Sequence, residues 1–297
     1  MEASVTLLTY ISILGFILGF VVSKTNFCTM GAVSDWVNIG DLSRFKSWMF
    51  AAGIAILGVT ILEYTSYINV NDSRIPYRNS VFFWPRYILG GLMFGIGMTY
   101  ASGCGNKVLI RVGGGNIKSI VVLLVAGLMA YLMTRTDFYG VVFHSWMSPI
   151  SPDLAKIGIE DQSLSTILSY LFSSENLSNT KLLVGLIIAS IVMLLIFKSG
   201  TFIKNTDNLL GGFVVGIVVI IAWFLTGSSL GQEWIETNNF LDTPQPGVGM
   251  QSFTFINPMG ETIIFLGNAA DSFYLTFGVT ALISVILGSF VYSITSN

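Results

Sequence analysis

Seven apolar stretches, at about residues 5–22, 48–66, 87–103, 119–134, 182–197, 209–226 and 273–294, decide what this chain can fold into. A hydrocarbon layer about 30 Å thick takes about 20 mostly apolar residues per helix. Backbone inside it must find its hydrogen bonds within the segment, which leaves helices for runs of this kind. Only 10% of the residues are charged and the mean hydropathy is +0.75, far from the roughly one-quarter charged content of a soluble domain. The chain therefore reads as an all-α polytopic membrane protein. The first stretch follows Glu2 and has neither a basic leader nor a small-residue cleavage site, so it is kept as a span.

The two cysteines occupy one position in two copies of a pattern, Gly15-x3-Gly19-x8-Cys28 and Gly91-x3-Gly95-x8-Cys104. A third, weaker copy, Gly212-x3-Gly216, arrives at Leu225 and then Thr226-Gly227-Ser228-Ser229, polar but without sulfur. Each thiol is followed by a glycine-containing polar segment and then a new apolar run, so the unit reads as span, interrupted turn, span. We expect one transmembrane domain over residues 1–297, with repeat-like units at about 5–66 and 87–134 and a weaker third at 209–229. Residues 135–181 and 227–272 are expected to be exterior loops, the first with an interfacial run at 164–172, the second with a β-leaning stretch at 252–255.

Charge orients the domain. Lys24, Arg44, Lys46, Lys107, Arg111, Lys118, Lys198 and Lys204, eight of the 14 basic residues, fall in three short connections, whereas residues 227–273 hold no Lys or Arg. Cytoplasmic loops concentrate basic residues, which predicts an amino terminus outside the cell. A net charge of −2 leaves no footprint for nucleic acid. With one histidine, no Cys-x2-Cys and no phosphate-cradling glycine motif, neither a metal, a cofactor nor an ATPase activity is expected. Glu63, near the end of the second stretch, is either an intramembrane carboxylate with a proton-relay role or an interfacial residue.

Irregular sequence at membrane depth marks a protein-lined cavity. Asn26-Phe27-Cys28-Thr29-Met30-Gly31 and Gly103-Cys104-Gly105-Asn106-Lys107 are such segments. Short helices starting there would aim free N–H groups and positive dipole ends into the cavity and favour an anion, with Lys24, Lys107 and Arg111 adding charge. A cysteine supplies a weak S–H donor on a polarizable atom, suited to a soft sulfur ligand. The plain alternatives stand beside these readings: glycines that let helices approach, cysteines as small buried hydrophobes, and cations that only set topology.

The segments running from Asn26 through Cys28 to Ala32, from Leu89 through Ser102-Gly103-Cys104-Gly105 to Ser119, and Gln251-Ser252-Phe253-Thr254-Phe255 with Pro258 and Gly260-Glu261-Thr262 resemble the YeeE/YedE family of sulfur-compound transporters. The likeness covers nearly the whole chain. It implies an all-helical membrane fold with internal repeats and re-entrant half-helices meeting near a waist. The implied activity is thiosulfate uptake across the inner membrane by a transporter or channel, not an enzyme. Cys28, Cys104, Asn26, Gly103, Gly105, Asn106, Lys107, Arg111 and Ser228 are the expected path residues. Longer family members carry a final repeat with a further Gly-Cys segment, and the resemblance implies either a shortened protein or a repeat supplied by a second chain or a second copy. The alternatives are a membrane persulfide relay handing sulfur to a soluble carrier protein on the cytoplasmic side, and a subunit that works only with a partner.

Overall fold

The computed structural model describes residues 2–73, 78–173, 176–198, 200 and 202–296. In chain order the helices are α1 (Glu2–Thr25), α2 (Thr29–Ile39), α3 (Ser43–Tyr64), α4 (Trp84–Tyr100), α5 (Gly105–Gly113), α6 (Ile117–Arg135), the single turn α7 (Ser145–Met147), α8 (Leu164–Leu171), α9 (Leu177–Phe197), α10 (Thr206–Gly227), α11 (Ser229–Asn239), α12 (Ile256–Gly267) and α13 (Phe277–Thr295). Among the described residues there is no strand, only two isolated bridges, Ser73 with Met250 and Val81 with Asp153. Seven segments are long and apolar enough to cross a membrane, those containing α1, α3, α4, α6, α9, α10 and α13. The protein is an all-α polytopic membrane protein.

Small residues set the helix pairs, because without a hydrophobic drive between helices in lipid the backbones must approach closely to gain dispersion contacts. In the α1–α13 pair, the most extensive in the molecule, Gly15 lies against Ala281 and Ser284, Gly19 against the backbone of Val285, and Gly288 answers against Phe16. Leu7, Ile11, Leu14, Leu18 and Val22 form the buried stripe of α1. In the same way Gly212 and Gly216 seat α10 on Ser47, Ala51 and Ile54 of α3. The equivalent pair on α4, Gly91 and Gly95, meets nothing within 4 Å. α8 exposes Leu164, Tyr170 and Leu171 while burying Ser165, Thr166 and Ser169, the inverse of a water-soluble helix.

Four helices, α2, α5, α11 and α12, have 9 to 12 residues. At about 1.5 Å per residue they are too short to cross a bilayer. Three of them follow a long helix through a break, and at two breaks the residue two places before the cysteine is left-handed, Asn26 at φ 52° and Ser102 at φ 55°. A left-handed residue ends the α1 or α4 ladder and turns the chain before the next helix starts.

Residues 227–272, expected as an exterior covering, fold otherwise. They contain α11 and α12, and α12 packs between α6 and α13 with Pro258, Met259, Gly260, Glu261 and Thr262 buried. Gly127 and Gly260 let α6 and α12 touch backbone to backbone. The sequence does not announce α12, because a helix of this length is shorter than a span and carries a carboxylate. That carboxylate is satisfied internally: Thr276 Oγ1 donates to Glu261 Oε2 at 2.6 Å and Asn257 Nδ2 to Oε1 at 2.9 Å. Residues 252–255 lead into α12 without forming a strand.

Glu63 ends in an ion-pair network, with Lys181 Nζ at 2.7 Å and Arg78 at 3.6 Å, and Arg78 in turn 3.7 Å from Asp161. Burial opposes the charge on Asp161, but hydrogen bonds from the Ser163 side chain and backbone, with Arg78, hold its carboxyl below the usual range. Glu63 thus clamps the end of α3 to the start of α9.

The glycine contacts predict a contrast. Gly19→Val drives a side chain into the Val285 backbone and should lower stability in detergent by about 1–3 kcal/mol, the usual cost of overpacking. Gly91→Ala on open α4 should leave the thermal unfolding midpoint unchanged; equal effects at both positions would contradict the packing described here.

Candidate functional site

Cys28 and Cys104 are the N-cap residues of α2 and α5. An N-cap faces the free N–H groups of the first helical turn, and here sulfur stands where an oxygen usually does. Gly31 N–H donates to Cys28 Sγ at 3.4 Å. The Cys104 side chain makes no capping hydrogen bond, and the two thiols are close neighbours. Two short helices of separate sequence segments thus point their positive ends at one spot. Both cysteines are free, Cys28 buried and Cys104 half-buried.

Lys107, three residues into α5, joins the two segments by donating from Nζ to Asn26 Oδ1 at 3.0 Å. The left-handed turn at Asn26 presents that oxygen. Gly103 is required by the same arrangement: a Cβ there would stand 2.9 Å from Lys107 Cβ. At Gly105 a Cβ would come 2.9 Å from Ile256 Cδ1 and 3.4 Å from Phe255 Cβ, so its bareness lets the start of α5 abut the start of α12. Asn106 Oδ1 is buried with no hydrogen-bond partner. Arg111, in the last turn of α5, and Arg44, at the start of α3, add positive potential around Lys107.

The arrangement brings together Asn26, Cys28, Gly103, Cys104, Gly105, Lys107 and Arg111, with Asn106 beside them on α5. Ser228 is elsewhere. It takes the N-cap position of α11 with backbone angles close to those of Cys104 (φ −76°, ψ −178° against φ −73°, ψ 172°). Yet it lies at the far end of α10, roughly 25 Å of helix from Gly211, which abuts Thr25. There it lines a separate polar cavity of about 550 Å³ with Glu63, Lys181 and Gln232.

Sequence reasoning passed over Arg44 and Asp35 as site residues. Asp35 on α2 receives Arg44 Nε at 2.5 Å, and the guanidinium then crosses Gly31, where a Cβ would lie 2.5 Å from Nη1. The nine-residue separation of this pair carries no periodic signal, since the chain turns between α2 and α3. Three cations, one nearby carboxylate, two helix N-termini and two thiols are thus gathered in one region, with a positive potential that favours negative charge.

A family model described as sulphur transport matches residues 24–297. Thiosulfate transporter TsuA of Escherichia coli is 23% identical over 297 residues, covering 94% of this chain and 72% of that protein. Thiosulfate transporter TsuA of Spirochaeta thermophila is 24% identical over 250 residues, covering 75% of this chain and 72% of that protein.

The thiol contact predicts that mild oxidation will join Cys28 to Cys104 within one chain. Both thiols should become unreactive to maleimide together, reversibly with reductant and with no dimer on a non-reducing gel. Thiols that stay independently reactive would show that they do not meet.

Proposed function

The chain belongs to the sulphur transport family, and from that premise we propose that it carries thiosulfate, or a closely similar sulfur anion, inward across the inner membrane along the Cys28–Cys104 segments. The observation that carries this reading is the convergence of two helix N-termini, each capped by a thiol, beside Lys107. Thiosulfate has an oxygen-bearing end and a terminal sulfur. The oxygens suit the backbone N–H groups and the Lys107 ammonium, while the terminal sulfur accepts weak S–H hydrogen bonds. Contacts of this strength can be exchanged one for the next, and conduction requires that the ion leave as readily as it binds.

In this reading Asn26 and Gly103 position Lys107, Gly105 seats α5 against α12, Asn106 adds a polar side chain beside Lys107, and Arg111 with Arg44 raises local anion concentration. The amino terminus lies outside and the thiol segments lie toward the cytoplasmic connections. Ser228 serves at the opposite end of the route. The repeat-like units at 5–66 and 87–134 each deliver one thiol.

Proteoliposomes containing only this chain should take up thiosulfate in preference to sulfate. Cys28→Ala and Cys104→Ala should each lower uptake by more than about tenfold, equivalent to about 1.4 kcal/mol or more of lost stabilisation, with unchanged membrane insertion. Serine at either position keeps a donor without the soft atom and should fall between alanine and wild type for thiosulfate. Wild-type uptake in both alanine variants would end the proposal. The closeness of the two thiols also supports a persulfide relay to a soluble carrier. Mass spectrometry after thiosulfate exposure decides, since conduction leaves the thiols unmodified and a relay leaves added sulfur on cysteine. Uptake that needs a second chain or a second copy would mark a partner-dependent subunit.

A further inference from the structure

A cavity of about 930 Å³ runs between α4 and α6, from the Cys104 segment to Arg86 in the first turn of α4. Its walls are almost wholly apolar and rich in thioether. Met93, Met98, Met129, Met133, Met147 and Met259, six of the 11 methionines in the chain, line it. It opens where Met93, Phe94, Val125 and Met129 are exposed, on the outer face of the helix bundle. Methionine makes an adaptable surface that moulds to a flexible apolar guest.

The Arg86 end is different. The guanidinium lies 4.3 Å from the centroid of the Phe83 ring and 5.3 Å from that of Tyr139. Arg86 Nε and Tyr139 Oη are both buried without a hydrogen-bond partner, and among the described residues Arg86 has no carboxylate within ion-pair distance. Burying two polar atoms unmatched is costly, so a group that satisfies both is strongly favoured there. Trp84 and Tyr87, next to Arg86 in the first turn of α4, and Trp146, next to the cavity-lining Met147, are each about half exposed. Trp and Tyr collect at the depth of lipid headgroups.

We propose that this cavity is a site for one anionic phospholipid, its phosphate accepting from Arg86 and Tyr139 and one acyl chain lying along Met93, Phe94, Val125 and Met129. A free inorganic anion would match Arg86 but not the apolar length of the cavity. A membrane-embedded basic residue between helices recognises a headgroup, and charge selects the anionic one. The bound chain would also wall the Cys104 segment from the bilayer.

The test is native mass spectrometry of the purified chain in detergent with phosphatidylglycerol or phosphatidylcholine of matched acyl chains, without thiosulfate, so its outcome is separate from the transport reading. Wild type should retain phosphatidylglycerol preferentially. Arg86→Gln should cut that preference about fivefold, the worth of one basic residue near a headgroup, and Tyr139→Phe should cut it by less. Gly97→Trp, in open space along the cavity, should exclude both lipids while circular dichroism stays unchanged. Equal retention of the two lipids with Arg86→Gln silent overturns the proposal. So does displacement of phosphatidylglycerol by thiosulfate, which would make Arg86 a station for the anion, or a lipid-free dimer closed across α4, which would make the cavity an interface between copies.

Discussion

The structure depends on how backbone polar groups are satisfied where a membrane helix is broken. A continuous helix in lipid answers its own N–H groups, but a helix that begins partway through the fold exposes its first turn. At Cys28 and Cys104 the chain accepts that exposure twice in one place. Sulfur receives the N–H groups only weakly, 3.4 Å from Gly31 in the one capping bond, leaving the two dipole ends with capacity to spare. The result is a positive field where the two ends meet, and the proposed anion path rests on it; the fold around it keeps the two ends together.

Holding them requires close backbone contact far from the thiols. α1 is fixed against α13 through Gly15, Gly19 and Gly288, and α5 against α13 through Gly113, over which Ser289 donates to Ile110 O at 2.7 Å. α13 therefore carries both thiol segments on one rigid rod: Ser23 on α1 also reaches Ser289, at 2.8 Å. From the other side α12 presses Phe255 and Ile256 against Gly105. Most of these contacts are made through glycine or serine, and together they set the separation of two cysteines that are 76 positions apart in the chain.

The membrane helices were legible from the sequence because apolar length is a one-dimensional property; all seven expected spans coincide with long apolar helices. The matched cysteines were legible because a spacing repeated twice is visible in any chain. What remained hidden was short or long-range. α12 escaped because its 12 residues fall below the length of a span and Glu261 depresses its apolarity, although Thr276 and Asn257 hold that carboxylate in place. Sequence equivalence groups Ser228 with the thiols, and its cap geometry does resemble that of Cys104. Its distance comes from direction: α10 runs alongside α3, away from the Thr25 end of α1, and deposits its cap at the other end of the molecule.

By itself the sequence determined the solvent of this protein, the number of its long helices and the two places where a thiol interrupts them, since bilayer thickness and backbone hydrogen bonding act on each segment alone. Only the tertiary structure decided that the two thiols share a site, that Asn26 and Lys107 bridge them, and that Arg44 and α12 complete the surroundings while Ser228 does not. Those outcomes rest on which helices can approach to backbone contact, and that is a property of pairs of surfaces meeting in space.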